Sequence, residues 1–213
     1  MTNELGIIEN LDKDSIPTCE IIGIPIAAIN MEWLLNFFKA TVNNEQGNLL
    51  AGEYICVSNV HTTIMAHDSP NFRVIHQNSL MALPDGGPLS TIGRRKGYKY
   101  MKRVTGPSLM EELFKQSAEN KYRHYFFGAT EETLGKMAEN LLDDYPAIQI
   151  AGMYSPPFRP LTAVENEEII KKINETKPHF IWVGLGAPKQ EIWMAANERK
   201  LTGVMIGVGA GFD

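Results

Sequence analysis

The second half of the chain alternates short apolar runs with longer amphipathic stretches, and this alternation limits the possible folds more than any other feature. Short apolar runs are typical of buried strands, whereas apolar residues three and four positions apart indicate helices. We predict strands at 122–127, 148–153, 180–183 and 204–208, and helices at 131–142, 165–174 and 190–198. Strands that alternate with helices form βαβ units, which build a mainly parallel sheet.

The first half of the chain contains the same elements in a less regular order. Its apolar runs predict one or two short strands within 19–28, broken at Gly23 and Pro25, a strand at 54–57, and another that ends before Asp85. Helical spacing predicts helices at 31–42, up to residue 67, at 71–76 and after 105–108. The whole pattern predicts an α/β fold, a Rossmann-like and mainly parallel sheet with helices on both faces.

The length and composition fit a single domain. With 213 residues, of which 44% are hydrophobic and 21% charged, the chain has enough apolar material for one core. Residues 1–18 are mostly polar and lack periodicity, so we expect a flexible N-terminal arm. We expect residues 19–213 to form one α/β domain.

Composition and charge exclude several classes of protein. The first residues lack the basic start and apolar run of a secretory signal, which predicts a cytoplasmic protein. No segment reaches the roughly 20 apolar residues that span a bilayer. Cys19 and Cys56 do not have a metal-binding or redox spacing, so we expect both in the core. The net charge of -5 argues against a nucleic-acid partner, which needs a basic face.

One acidic residue follows a predicted strand at a sharply constrained turn. Asp85 comes after Pro84, which ends the apolar run, and before Gly86 and Gly87, which allow unusual backbone angles. Ligands of open α/β sheets bind at the carboxyl ends of strands, so Asp85 is a candidate site residue. The alternative is that Asp85 caps the following helix.

Small polar residues follow the strand predicted at 54–57. Ser58 and Asn59 begin a segment, 58–63, in which five of six residues are polar. Such residues after a strand can contact a ligand, and they can equally cap the next helix. Both interpretations stay open from the sequence.

A glycine-containing loop follows the strand predicted at 180–183. Gly184 and Gly186 allow a backbone to approach an anion closely, and Lys189 adds positive charge at the start of the next helix. The spacing differs from a dinucleotide fingerprint, because Lys189 stands where the third glycine should be. The sequence therefore predicts a phosphate-binding loop of neither the NAD type nor the P-loop type.

The last predicted strand ends in another glycine-rich segment, 207–213. Gly209 lies within this segment, and Asp213 provides an acid that could accept hydrogen bonds from ribose hydroxyls. The alternative is a terminal turn whose glycines allow close packing of helix and sheet. We expect further residues beyond Asp213 in the complete protein, since the segment ends in the middle of the predicted site.

Six cations and no acid lie within ten residues of an otherwise acidic chain. They are Arg94, Arg95, Lys96, Lys99, Lys102 and Arg103. Such a cluster can be a solvated face, and it also suits a diphosphate or an anionic membrane. The sequence alone does not separate these interpretations.

Five short segments together resemble one family, the WecG/TagA/CpsF glycosyltransferases, which build bacterial cell-surface polysaccharides. They occur in the family's order, and the similarity extends from about residue 21 to the end. The matching segments are 58–61, 83–86, 103–106, 184–191 and 207–213. Ser108 departs from the pattern, because the family often has aspartate there, so the donor sugar stays open.

The resemblance implies a reaction. The family's members transfer a sugar, in several cases N-acetylmannosamine or its uronic acid, from a UDP donor to an undecaprenyl-diphosphate-linked acceptor, with inversion and without a bound metal or other cofactor. By resemblance Asp85 is the catalytic base, Ser58 and Asn59 contact the donor sugar or the acceptor, Gln190 lies near the donor and Asp213 lies near the nucleoside.

The resemblance also implies how the charge of the departing UDP is neutralised and how the protein binds the membrane. Without a metal, the charge of the departing UDP must be neutralised by cations and helix N-termini. Candidates are Arg103, Lys189 and the amides after Gly186, and we expect Arg103 and Thr105 to bind the diphosphate or the acceptor. A basic, aromatic C-terminal tail, absent from these residues, would bind the inner face of the cell membrane. We therefore expect weak UDP binding and poor turnover from these residues alone. The resemblance also implies self-association, as a homodimer or a homotrimer.

Two other functions remain as alternatives. A nucleotide-dependent oxidoreductase fits the α/β alternation and the first two glycines of the 184–191 loop. A non-catalytic sugar-nucleotide-binding protein fits the same loops but would need no acid at Asp85.

Overall fold

The computed structural model describes residues 13–45, 47–209 and 211–212. The strands of this part of the chain are β1 (Thr18–Ile21), β2 (Ile24–Ala27), β3 (Tyr54–Ser58), β4 (Met81–Pro84), β5 (Arg123–Gly128), β6 (Gln149–Tyr154), β7 (Phe180–Gly184) and β8 (Val204–Gly207). The helices are α1 (Met31–Thr41), α2 (Val60–Asp68), α3 (Pro70–Asn78), α4 (Gly87–Arg95), α5 (Gly106–Asn120), α6 (Glu131–Asp144), α7 (Ala163–Glu175) and α8 (Lys189–Ala196).

The centre of the fold is a parallel sheet. Within the described residues it has six strands in the order β4-β3-β8-β7-β5-β6, and every neighbouring pair is parallel. The carboxyl ends of all six strands therefore lie at one edge of the sheet. The predicted α/β fold with a mainly parallel sheet is confirmed.

Helices cover both faces of this sheet. Successive side chains of a strand point to opposite faces, so a buried strand contributes to a core on each face. In β7, Phe180 and Trp182 belong to one core cluster, whereas Ile181 and Val183 belong to the other. The first cluster receives buried side chains from α1, α5 and α6, and the second receives them from α2, α3, α4, α7 and α8. Cys19 and Cys56 are buried in the second cluster, as predicted.

The first two strands form a separate antiparallel hairpin. Gly23 lies in its turn with φ of 79°, a conformation that glycine adopts without strain. Pro25, predicted to break the strand, lies within β2 opposite Glu20. A two-stranded ribbon has a free edge, where a residue without an N–H is tolerated.

The predicted N-terminal arm lies mostly outside the described residues. Of its last residues, Lys13–Ser15 form a short 3-10 turn, and the Ile16 side chain is buried in the first core cluster. Lys13 Nζ donates to the carbonyl of Gln77 at 2.7 Å. Among the described helices, none has the length and apolar character needed to cross a bilayer.

A neutral histidine lies in the core of the first face. His124 Nδ1 accepts from Trp182 Nε1 at 3.1 Å, and its Nε2 lies 2.7 Å from Ser117 Oγ, which donates to the carbonyl of Leu113. Because Nδ1 accepts, the proton is on Nε2. Burial, with a smaller contribution from nearby His179, lowers the pKa of His124 to about 3.

We expect this histidine to make the fold sensitive to acid. The unfolded chain binds a proton near pH 6.5 and the folded chain does not, so stability is full above that pH and falls as the pH drops toward the folded pKa. Between pH 7 and 5 the loss from His124 is about 2 kcal/mol. Urea unfolding at both pH values measures it. His124→Asn should flatten the pH dependence, and an unchanged slope would contradict the assignment.

Candidate functional site

Four loops that the sequence analysis singled out begin at neighbouring strands. In the sheet, β4, β3, β8 and β7 lie side by side, and all four point the same way. Ser58 is paired with Pro84, and Gly207 is paired with both Cys56 and Val183. The loops after these strands therefore share one edge of the sheet.

Asp85 lies at the start of the loop after β4, and its backbone is fixed by β3. Its N–H donates to the carbonyl of Ser58 at 2.8 Å and also lies 3.0 Å from the carbonyl of Leu83. The cap of α4 is Gly86, and no side chain makes a capping hydrogen bond there. The Asp85 carboxylate is thus not used as a helix cap, and its side chain is 23% exposed.

Arg103 is the cation that the fold brings to Asp85. Its Nε and Nη2 donate to Asp85 Oδ1 at 3.4 and 3.3 Å. The neighbouring Val104 N–H donates to the carbonyl of Pro84 at 3.0 Å, which holds this segment along the end of β4. Both contacts of the arginine are to the same oxygen, so within the described part of the chain Oδ2 has no hydrogen-bond donor.

The residues after β3 have structural partners. Asn59 is the N-cap of α2, and its Oδ1 accepts from the Thr62 N–H at 3.0 Å in a capping box. The capping alternative is therefore confirmed for Asn59, whose exposed side chain retains its NH2 group for a ligand. Ser58 is fully buried, and its Oγ has no hydrogen-bond partner among the described residues.

Gln190 connects the loops after β7 and β8. Its side chain is 3% exposed; Oε1 accepts from the Gly209 N–H at 2.9 Å, and Nε2 donates to Glu191 Oε1 at 2.9 Å. Both ends of the amide are thus bound within the protein. In this structure Gln190 fixes Gly209 at the edge of the site, and its role toward the donor stays a prediction.

Glu191 is a buried acid that the sequence analysis gave no role. Burial raises the pKa of its carboxyl, against the opposing effect of the hydrogen bond from Gln190. Its Oε2 is buried and has no hydrogen-bond partner in the part of the chain that the structure describes. The sequence contained one signal for a role of Glu191, its place next to Gln190 in the matching segment. The structure places it on the buried face of α8.

The loop after β7 places its three predicted residues differently. Gly184 faces the ring of Phe212, where an added Cβ would lie 2.7 Å from the ring, so a larger residue does not fit. Gly186 has φ of 75°, and the peptide between Ala187 and Pro188 is cis. Lys189 is exposed at the first turn of α8, with no partner among the residues described.

The remaining predicted residues lie at the same edge or outside the described part. Thr105 caps α5 by accepting from the Ser108 N–H at 3.1 Å. A Cβ at Gly106 would lie 3.2 Å from Val208, so the N-terminus of α5 approaches the end of β8 closely. Gly209 is described, whereas Asp213 lies outside the described residues.

Several groups that attract anions lie at this edge. Helices α2, α4, α5 and α8 all begin there, and free amides at helix N-termini attract anions. Arg103 and Lys189 add two full charges. Among residues 13–45, 47–209 and 211–212, no group of three or more His, Cys, Asp or Glu side chains could hold a metal ion.

Sequence comparisons find relatives of this chain among known proteins. One relative, from Bacillus spizizenii, is 26% identical over 163 residues, which is 76% of this chain and 62% of the relative. Another, from Staphylococcus aureus, is 25% identical over 203 residues, which is 95% of this chain and 77% of the relative. Both are named N-acetylglucosaminyldiphosphoundecaprenol N-acetyl-beta-D-mannosaminyltransferase.

The family match extends over nearly the whole chain, whereas the Bacillus relative is matched over less than two thirds of its length. The family described as Glycosyl transferase WecG/TagA/CpsF matches residues 19–213, which include every described residue of the site. The resemblance inferred from the five segments is therefore confirmed, and the chain belongs to the WecG/TagA/CpsF family of glycosyltransferases.

Proposed function

We propose that this chain transfers N-acetylmannosamine or a related hexose or uronic acid from a UDP donor to an undecaprenyl-diphosphate-linked acceptor in cell-surface polymer synthesis. The observation that carries the proposal is the Asp85 carboxylate at the carboxyl edge of the sheet, with Arg103 on one oxygen and the other oxygen open. The names of the two relatives give N-acetylmannosamine as the sugar that they transfer and a lipid-diphosphate-linked acceptor. These names support the same donor sugar and acceptor for the proposal.

In the proposed reaction Asp85 acts as the general base. Its Oδ2 takes the proton of the acceptor hydroxyl while that oxygen attacks the anomeric carbon. The bond from this carbon to the UDP oxygen breaks on the opposite side, and UDP leaves with the electron pair. A single displacement of this kind inverts the anomeric carbon.

The leaving UDP carries negative charge that the chain's own groups would stabilise. The N-termini of α5 and α8 and the cations Arg103 and Lys189 all lie at the edge where the donor diphosphate would bind. Fixed donors and cations aimed at developing charge stabilise a transition state without rearrangement. The proposed reaction therefore needs no metal ion.

Proposed positions for the other site residues follow from their contacts. The NH2 group of Asn59 and the backbone at Gly186 and Gly209 are open to a donor. Thr105 would lie beside the acceptor diphosphate, next to Arg103. Ser58 would act through its carbonyl, which fixes Asp85. With a lipid-linked acceptor, the protein would work at the inner face of the cell membrane.

Calorimetric titration tests the ligand class. We expect UDP and UDP-N-acetylmannosamine to bind to the chain and NAD(H) to give no heat of binding. The physical reason is that the glycine loop follows β7, late in the chain, and lacks the third glycine of a dinucleotide site. Binding of NAD(H) without UDP would replace this proposal by the oxidoreductase alternative.

A further inference from the structure

The cluster of six cations lies within one ten-residue segment and, apart from its last member, is not used in the proposed reaction. Its side chains are all exposed, in a protein whose net charge is -5. We call this feature the basic surface; its members are Arg94, Arg95, Lys96, Lys99, Lys102 and Arg103. It extends from the C-terminal end of α4 to the start of the segment that contacts Asp85.

The basic surface has a fixed conformation. Arg94 Nη1 donates to the carbonyl of Met101 at 3.1 Å, which closes the segment on itself. Lys96 Nζ donates to the carbonyl of Glu20 in β1 at 2.7 Å, and the Lys102 N–H donates to the carbonyl of Ile29 at 3.0 Å. The segment is therefore attached both to the hairpin and to the chain just after it.

Three of the cations have no side-chain partner among the described residues. Arg95, Lys99 and Lys102 make no side-chain hydrogen bond or ion pair with any other described residue. Segment 94–103 contains no acid that could neutralise them. Clustered like charges repel one another, so an external anion would be favoured there.

Apolar and aromatic groups lie beside these charges. Tyr98 and Tyr100 are half-buried within the same segment. Ile22, two residues beyond the Glu20 that Lys96 contacts, is 48% exposed at the tip of the hairpin. Its φ of 47° is unfavourable for a β-branched residue, so the fold holds an exposed apolar side chain in a strained position.

We propose that the basic surface, with Tyr98, Tyr100 and Ile22, binds an anionic lipid bilayer. Clustered Lys and Arg bind anionic headgroups, tyrosine rings favour the interface, and an apolar side chain enters the acyl boundary. A nucleic acid would match the charges and could stack its bases on the tyrosine rings, but it would leave Ile22 without an apolar partner. Of these two partners, only the bilayer matches all three kinds of group.

This surface leads directly to the candidate site, since its last member, Arg103, contacts Asp85. Binding would therefore hold the site beside the membrane. The inference does not rest on the proposed reaction, because vesicle binding requires neither donor nor acceptor. Failure of one can therefore be distinguished from failure of the other.

Vesicle cosedimentation of the 213-residue chain tests the proposal. We expect binding to vesicles of phosphatidylcholine with phosphatidylglycerol, and little binding to phosphatidylcholine alone. The triple variant Arg95→Gln, Lys99→Gln, Lys102→Gln should weaken binding by about 10²-fold, because each cation near an anionic surface contributes roughly a fivefold factor. Ile22→Ser should weaken binding at high salt more than at low salt.

A matched control removes the same charge elsewhere. Lys171→Gln, Lys172→Gln, Lys200→Gln changes three exposed lysines on α7 and after α8, and should leave most of the binding. Equal losses in both triple variants, equal binding to uncharged vesicles, or no binding at all would overturn the proposal. So would binding of double-stranded DNA that the first triple variant abolishes while vesicle binding persists.

Discussion

Asp85→Asn is expected to lower sugar transfer by about 10²-fold or more while leaving UDP affinity nearly unchanged. The amide has the shape of the carboxylate and can still contact Arg103 through its oxygen, but it cannot take the proton of the acceptor hydroxyl. The backbone hydrogen bond from residue 85 to the carbonyl of Ser58 is independent of this change. The loss should therefore be in turnover and not in folding.

The measurement is product formation from UDP-N-acetylmannosamine and a lipid-diphosphate-linked N-acetylglucosamine acceptor, with UDP affinity followed by calorimetry. The matched control is Asp143→Asn, an exposed acid in α6 with no part in the site, which should keep full turnover. If Asp85→Asn transferred sugar at the rate of the unaltered protein, the base would have to be another group. If the full-length protein bound UDP in the same assay but transferred nothing, the binding-protein alternative would gain support.

Gly128→Ala is expected to destabilise the protein by about 3 kcal/mol or more. Gly128 ends β5 with φ of 137°, a conformation that side chains rarely adopt. An added Cβ would lie 2.3 Å from the carbonyl oxygen of Gly184, which is backbone and cannot rotate away. Because Gly184 begins one of the site loops, the displacement should also weaken UDP binding.

Gly135→Ala is the matched control for this substitution. Gly135 lies within α6, where an added Cβ would meet nothing within 4 Å. Alanine is the better helix former, so this variant should gain about 0.5–1 kcal/mol. Urea unfolding of the two variants compares them directly. Equal effects of the two would show that the contact between the ends of β5 and β7 is less close than the structure indicates.

These two glycine positions illustrate which parts of the fold could be predicted. The strands and helices from 122 onward were predicted within two residues at every end, because each carries its own period and its own turn residues. Helix α4 was not delimited, since its apolar residues are few and its C-terminal half is basic. The need for glycine at 128 was not visible, because it depends on a carbonyl more than fifty residues away.

The candidate site was also predicted in part. Asp85, Gly184 and Gly209 could be singled out, because turn-forming residues after strands can be read from the sequence alone. Whether a polar side chain is open to a ligand could not be predicted from the sequence. The structure shows which of these side chains are already bound within the protein. Asn59 and Thr105 cap helices, Gln190 is bound at both ends, and Asp85 keeps an open oxygen.

The sequence by itself determined the fold class and the four loops at strand ends, because periodicity and turn chemistry are local properties. Only the tertiary structure decided that β8 inserts between β3 and β7, which brings the last loop between the loops that follow those two strands. It also decided the contact of Arg103 with Asp85 and of Gln190 with Gly209, which are eighteen and nineteen residues apart. Strand order and such contacts depend on how whole layers pack, and no local pattern encodes that.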